Sequence, residues 1–218
     1  DTKGGLLVPP MGRSGIDLSR KGNMKELIIL GMGNTRVDCD YSGEVWGVNN
    51  GYRQVMSFNH ERDIAPQEIE RLTALLSEAK TDGERFSFTT DLEKFQSRLT
   101  APVGKLNKLF ICHRGQEYDA DGDPIFNWDE INQLSEQGIE IVSLFNVKEI
   151  NKITRLPYRK IVHKFNTEYF SDSISYMIAY ALHQNTIKQN GLLKLKEPMR
   201  IRMFGVDMHT QDEYATER

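Results

Sequence analysis

Histidines that follow apolar segments are the residues best suited to acid–base chemistry in this chain. His60, His113 and His209 each come just after a segment that predicts a β-strand. Imidazole titrates near neutral pH, so such a histidine suits a general base in group transfer. Asp207 precedes His209 at the same predicted strand end. We therefore take His60, His209 and Asp207 as catalytic candidates; a purely structural role is the alternative, and their spacing indicates no metal site.

A glycine turn supplies the second chemical signal. The apolar run of residues 27–30 is followed by Gly31, Gly33, Asn34 and Thr35. A buried strand, a glycine turn and the start of a helix together make the generic phosphate cradle of α/β proteins. The third glycine of a dinucleotide fingerprint is absent, which favours a nucleotide over NAD or FAD. A tight turn without a ligand is the alternative.

Two further polar positions extend this hypothesis. Asn49 follows the second predicted strand, where its amide offers both donors and an acceptor to a base or ribose. Ser173 and Ser175 stand at the start of a predicted helix, where free backbone amides attract anions. The alternatives are a left-handed turn at Asn49 and plain helix capping by Asp172.

Strands and helices must alternate to bring these residues to one edge of a sheet. Short apolar runs predict strands, and apolar residues recurring at three and four positions predict helices. The pattern predicts an α/β fold: a Rossmann-like, doubly wound, mostly parallel sheet with helices on both faces. The predicted strands cover residues 27–30, 44–50, 55–58, 108–113, 139–145, 161–165 and 199–206, and the predicted helices cover 66–80, 128–137, 147–154 and 174–182.

Composition and length limit the function classes. The chain has 218 residues and a formal net charge of −3, which gives no general electrostatic reason to bind nucleic acid. Cys39 and Cys112 are far apart and favour reduced thiols in a cytoplasmic setting. No apolar stretch approaches the roughly 20 residues of a membrane span, so we expect no membrane partner.

The predicted domain organisation is simple. Residues 1–23 are rich in glycine, include a Pro-Pro pair, and predict an extended arm or linker with which protein partners can interact. Residues 24–218 predict a single nucleotide-binding domain. Residues 81–105 predict a short strand followed by a helix, either as part of that domain or as an insertion.

Three segments, residues 31–52, 164–182 and 201–218, together resemble a set of bacteriophage-encoded Rossmann-like proteins, mostly without assigned function. The shared features are the glycine turn, a Trp-Gly-x-Asn strand end, a serine-rich helix start before Tyr-Met, and a Gly-Val-Asp-Met strand end. This resemblance implies a viral protein that works in the host cytoplasm.

The layout is more distantly similar to bacterial lipo-oligosaccharide sialyltransferases and to hydroxymethylpterin pyrophosphokinase-like proteins. The sialyltransferase resemblance implies nucleotide contacts at motif-matched positions and places Asp207 at the end of a matching strand. Those contact positions are Gly31, Gly33, Asn34, Asn49, Ser173, Ser175 and Tyr176.

Three functional hypotheses follow. The first is a nucleotide or nucleotide-sugar binding protein, glycosyltransferase-like, that takes a small-molecule nucleotide-type ligand and no indicated metal. The second is a non-catalytic phage virion or accessory protein, or a nucleotide-sequestering protein, that acts by assembly with other chains. The third is pyrophosphokinase-like phosphoryl transfer, for which Asp63 and Asp207 are the available carboxylates.

Overall fold

The computed structural model describes residues 24–118, 122–167, 170 and 172–206. Six parallel strands form one sheet in the order β5-β4-β3-β2-β1-β8, and two further strands form a separate antiparallel hairpin. The strands are β1 (Lys25–Leu30), β2 (Glu44–Val48), β3 (Lys108–Ile111), β4 (Glu140–Ser143), β5 (Thr154–Arg155), β6 (Thr186–Gln189), β7 (Leu192–Leu195) and β8 (Met199–Phe204). The predicted α/β, Rossmann-like class is confirmed.

Helices cover both faces of the sheet. One face carries a short 3-10 helix (Asn34–Asp38) together with α1 and α3, and the other face carries α4 and α5. The α-helices are α1 (Gly51–Glu78), α2 (Asp82–Thr100), α3 (Trp128–Glu136), α4 (Tyr158–Phe165) and α5 (Ser173–Asn185). Both faces of the central strands are therefore buried, which explains why these strands are continuous apolar runs.

The path of the chain determines where the sheet changes direction. From β1 the chain advances through β2, β3 and β4 to β5, and then α4 and α5 return it across the opposite face to β8. Connections between parallel strands of one sheet are right-handed. When the order in which strands are added reverses across the sheet, the connecting helices therefore lie on the opposite face. The carboxyl ends of β1 and β8 consequently lie at the switch point where open α/β sheets commonly bind ligands.

Alternate residues of each strand supply the two cores. Leu27 and Ile29 face α5, whereas Ile28 and Leu30 face the opposite layer. On the α5 side, the Trp46, Phe110 and Tyr180 rings pack with centroids 5.2 to 5.7 Å apart. This aromatic cluster fixes α5 against the middle of the sheet.

Several predicted elements were wrong. The predicted strands at 55–58 and 161–165 are helical, as parts of α1 and α4, and the predicted helix at 147–154 is a series of turns leading into β5. The predicted helix at 66–80 is the second half of α1, so Pro66 lies inside the helix instead of in its first turn. His60 therefore lies on the exposed side of α1 and not at a strand end, which corrects its predicted position.

Residues 81–105 contain no strand. The predicted short strand belongs to α2, which begins at a capping box formed by Thr81 and Glu84. Glu61 of α1 binds Lys94 and Arg98 of α2, each at 2.9 Å. The two helices thus form an antiparallel hairpin, and no residue of α2 is fully buried.

Arg202 ties the edge strand β8 to the rest of the sheet. Its guanidinium contacts Asp40 at 2.7 Å and Glu26 of β1 at 3.2 Å. The hydrogen bond from Arg202, helped by the Ser42 amide, lowers the pKa of Asp40 from 3.8 to about 2. A carboxyl with a depressed pKa in the folded state stabilises the protein above its ordinary pKa, and this contribution disappears as the pH falls.

We therefore expect the free energy of unfolding to fall between about pH 4 and pH 2, and Asp40→Asn to make that fall smaller. Urea unfolding at several pH values measures both slopes. Because Asp40 is largely exposed, added salt reduces the effect. Identical slopes for the wild type and the variant would contradict the assignment.

Several predictions lie outside the described residues: the 1–23 arm, Asp207 and His209. Within the described ranges, no helix is both long and apolar enough to cross a membrane. In the same ranges, no three His, Cys, Asp or Glu side chains are grouped as a metal site requires.

Candidate nucleotide site at the carboxyl edge of the sheet

The glycine turn joins β1 to β8 at the switch point. The amide of Gly31 donates to the Phe204 carbonyl at 2.8 Å, and the amide of Gly33 donates to the Gly205 carbonyl at 2.7 Å. The Gly205 amide in turn donates to the Thr35 hydroxyl at 2.9 Å. A phosphate cradle would direct these amides to a ligand, but the end of the neighbouring strand already accepts the hydrogen bonds of Gly31 and Gly33.

The segment after the turn also differs from a phosphate cradle. Asn34–Asp38 is a 3-10 helix of five residues. Its N-cap residue is Gly33, which has no side chain that could cap the helix. The Arg36 guanidinium folds back and donates to the carbonyls of Met32 and Gly33 at 2.5 and 3.0 Å. The turn therefore serves chiefly to hold the β1 and β8 ends together, with one cation beside it.

Asn49 joins the ends of β2 and β3. Its backbone is in the left-handed region, with a φ of 47°, and its backbone N–H donates to the Phe110 carbonyl at 2.7 Å. Its side-chain Oδ1 accepts from the Cys112 amide at 3.2 Å. Asparagine tolerates this conformation better than most residues, so the turn alternative also describes Asn49. The amide nitrogen Nδ2 is the group it offers to a ligand.

The start of α5 meets the end of β3. Asp172 caps the helix by accepting from the Ser175 amide at 2.7 Å, and the Ser175 hydroxyl donates to the Asp172 carbonyl. The Ser173 side chain hydrogen-bonds Cys112, while burial raises the pKa of that thiol. Ser175 therefore acts as part of the helix cap, whereas the Ser173 side chain faces the end of β3.

Tyr176 belongs to an aromatic cluster beside this point. Its ring lies 5.1 Å from Phe170 and 6.2 Å from Tyr158, centroid to centroid. Burial raises the pKa of Tyr176, and the nearby Tyr158 adds to this effect. An open depression of about 720 Å³ lies beside Tyr158 along α4, with Arg159 and His163 in its lining.

His113 is the histidine that the structure places at this edge. It follows β3 directly, its Nδ1 lies 2.7 Å from the Glu117 carboxylate, and its ring packs 5.1 Å from Phe126. A carboxylate on one ring nitrogen orients the imidazole and leaves the other nitrogen for a reacting group. The next residue, Arg114, places its guanidinium 5.0 Å from the Phe145 ring centroid.

These contacts define what the edge contains. Asn49 and Ser173 hydrogen-bond Cys112, Tyr176 packs against the same α5-side core as Cys112, and the glycine turn lies on the same edge, two strands away at about 10 Å. His60 is not part of this group. The sequence pattern did not single out Cys112, although this residue directly follows the buried strand β3. Residues that bind ligands are common at such strand ends.

Comparison with family models, with curated proteins and with solved structures gives no match for this chain. The resemblance to phage proteins and sialyltransferases therefore stays a prediction, and the fold is established by the sheet itself. By its strand order and its helices on both faces, the chain is an α/β protein with a Rossmann-like parallel sheet.

Proposed function

We propose that this protein binds a nucleotide or nucleotide sugar at the carboxyl edge of its sheet, as a glycosyltransferase-like protein. The hydrogen bonds of Asn49 and Ser173 to Cys112, with Tyr176 packed against the same side of the sheet, carry this proposal. Two strand ends and a helix start there combine an amide, a hydroxyl and an aromatic ring. Such a mixture of a few polar groups and apolar surface is typical of small-molecule sites.

Each group has a distinct role in the proposal. Because Oδ1 of Asn49 is already bonded, its Nδ2 donates to a carbonyl or hydroxyl oxygen of the nucleoside. The ring of Tyr176 packs against the base. The Asp172 carboxylate repels anions at the tip of α5, so the phosphates lie on the side of Ser173 and Arg114.

His113 is the general base in this proposal, with Glu117 as the residue that positions it. It takes the proton of the acceptor hydroxyl as that oxygen bonds to the anomeric carbon of the sugar, and the bond from this carbon to the nucleotide phosphate breaks, releasing the nucleotide. Asp207 and His209 follow β8 in the sequence and stay predictions, because they lie outside the described residues.

Asn49→Asp is the sharpest test of binding. This variant keeps the size, the left-handed preference and an acceptor oxygen of Asn49, but it replaces the Nδ2 donor by a carboxylate oxygen and adds a negative charge. We expect binding of the preferred ligand to weaken by about tenfold or more, because one hydrogen bond is lost and the carboxylate repels an anionic nucleotide. Titration calorimetry with cytidine, uridine, guanosine and adenosine nucleotides and their sugar conjugates first identifies that ligand and then measures the change.

Asn132→Asp is the matched control. Asn132 also joins two backbone segments, Glu149 and Asn151, but it does so on α3, away from the edge. We expect its affinity to equal that of the wild type. No heat with any nucleotide, or equal losses in the two variants, would refute the proposed site.

A second candidate, a non-catalytic protein that assembles with other chains, is favoured by the α1–α2 hairpin. Phe86 at the start of α2 is 76% exposed, so its ring is available to pack against another chain. Purification of the native complex distinguishes the two candidates. Stable association with other chains, without turnover of any sugar nucleotide, would select assembly.

A further inference from the structure

Positive charge is concentrated in one part of the chain. Residues 148–206 contain eleven Lys or Arg and four Asp or Glu, whereas the whole chain has a net charge of −3. This segment forms α4, α5, the β6–β7 hairpin and β8. The overall balance therefore hides a basic region, and such charge asymmetry is a feature of proteins that bind polyanions.

The β6–β7 hairpin is a two-stranded ribbon exposed on both faces. Its turn, Asn190-Gly191, has positive φ at both residues, as a type I′ turn requires. Residues 186–196 contain three lysines and no carboxylate. Four apolar side chains of the ribbon are also 41 to 65% exposed: Ile187, Leu192, Leu193 and Leu195.

Lysines from two elements meet at the base of this ribbon. Lys164 of α4 donates to the carbonyls of His183 and Thr186 at 2.9 and 2.6 Å, which attaches α4 to the start of β6. Burial lowers the pKa of His183, and the charges of Lys164, Lys160 and Lys196 lower it further. The three charged groups that lower the pKa of His183 are thus all lysines. The repulsion among these lysines is relieved when an anion binds.

We propose that α4 and the β6–β7 hairpin form a binding surface for double-stranded DNA. The exposed Arg159, Lys160 and Lys196 contact backbone phosphates, and the ribbon enters the major groove, where Lys188 and Lys194, which lie on opposite faces of the ribbon, contact the phosphates that border the groove. That groove in B-form DNA admits a two-stranded β-ribbon. The narrow, deep major groove of an RNA duplex does not, so the geometry favours DNA.

The experiment is a fluorescence anisotropy titration of the full chain with a labelled 20-base-pair DNA duplex, at several salt concentrations. The test variant carries Lys188→Gln, Lys194→Gln and Lys196→Gln together. We expect the slope of log affinity against log salt to become shallower by about 1 for each lost phosphate contact. At about 0.1 M salt this corresponds to roughly tenfold weaker binding for each contact.

The matched control carries Lys80→Gln, Arg85→Gln and Lys105→Gln. These three residues are also exposed but lie on the α1–α2 hairpin and the loop after it, and the variant has the same net charge as the test variant. We expect its affinity and salt slope to stay close to those of the wild type. Equal effects in the two variants would show attraction by total charge only and would overturn the proposal.

A third variant separates groove entry from simple charge attraction. Leu192→Asn with Leu193→Asn keeps every lysine, so we expect weaker duplex binding with an unchanged salt slope. Circular dichroism confirms that each variant is folded. Binding of an RNA duplex as tightly as the DNA duplex, no binding at low salt, or loss of a protein dimer in the leucine variant as seen by sedimentation would each overturn the proposal.

Discussion

Gly31→Ala is expected to destabilise the protein by about 3 kcal/mol or more, a large fraction of the roughly 5 to 15 kcal/mol by which a typical domain is stable. A Cβ on residue 31 would overlap the backbone carbonyl of Gly205. A Cβ on residue 205 would in turn lie only 2.9 Å from the Gly31 carbonyl oxygen. Both obstacles are backbone atoms of paired strands, so no side-chain rotation relieves them. Urea unfolding followed by circular dichroism measures the loss.

Gly83→Ala is the matched control for this variant. Gly83 lies in the first turn of α2, where a Cβ meets no atom within 4 Å. We expect an unchanged or slightly higher stability, by at most about 1 kcal/mol, because alanine favours helix over glycine. Gly31→Ala with wild-type stability would show that the ends of β1 and β8 do not pack as closely as described.

His113→Asn is expected to lower kcat of the proposed transfer by a factor of about 10² to 10⁴, with little change in KM. Asparagine retains a polar side chain but cannot take up a proton. Glu117→Gln is expected to give a smaller loss of kcat, because Glu117 acts only through its bond to the imidazole. Steady-state kinetics with the nucleotide sugar identified by calorimetry provide the measurement.

His60→Asn supplies the control for His113. His60 is exposed on α1 and far from any strand end, so we expect wild-type kcat and KM. If His113→Asn keeps full activity while Asn49→Asp loses affinity, the site is correct and the assigned base is wrong. If both variants behave as the wild type, the proposed site itself fails.

The central strands were predictable because they are buried on both faces. Consecutive apolar residues in β1, β2 and β3 have no helical spacing, and a parallel sheet explains them directly. The helices α3 and α5 were also predictable, since Asn127 and Asp172 provide the caps that the sequence suggests. These elements together determine the fold class.

The wrong assignments were short apolar runs whose period is ambiguous. Val55–Phe58 reads as a strand in isolation, but Tyr52 and Val55 are buried while Met56 is exposed, as on one side of a helix. Residues 161–165 behave alike, because only Ile161 of α4 is buried. The Asn190-Gly191 hairpin signal was present in the sequence and was missed.

The positions of some candidate residues were predictable. The sequence placed Asn49 and Ser173 at one edge of the sheet, because strand ends and a helix start share that edge. It could not reveal that Gly31 and Gly33 use their amides on β8, since that bond depends on which strand lies beside β1. Cys112 escaped notice for a related reason, because its partners come from two distant segments.

The pairing of β8 with β1 also has a consequence for biosynthesis. Lys25 and Met199 are partners in the sheet, so the outer edge of the first strand has no neighbour until the ribosome has made β8, about 170 residues later. The nascent chain meanwhile carries an open, apolar strand edge, a known starting point for aggregation. Synthesis of β8, more than any local helix, thus closes the sheet.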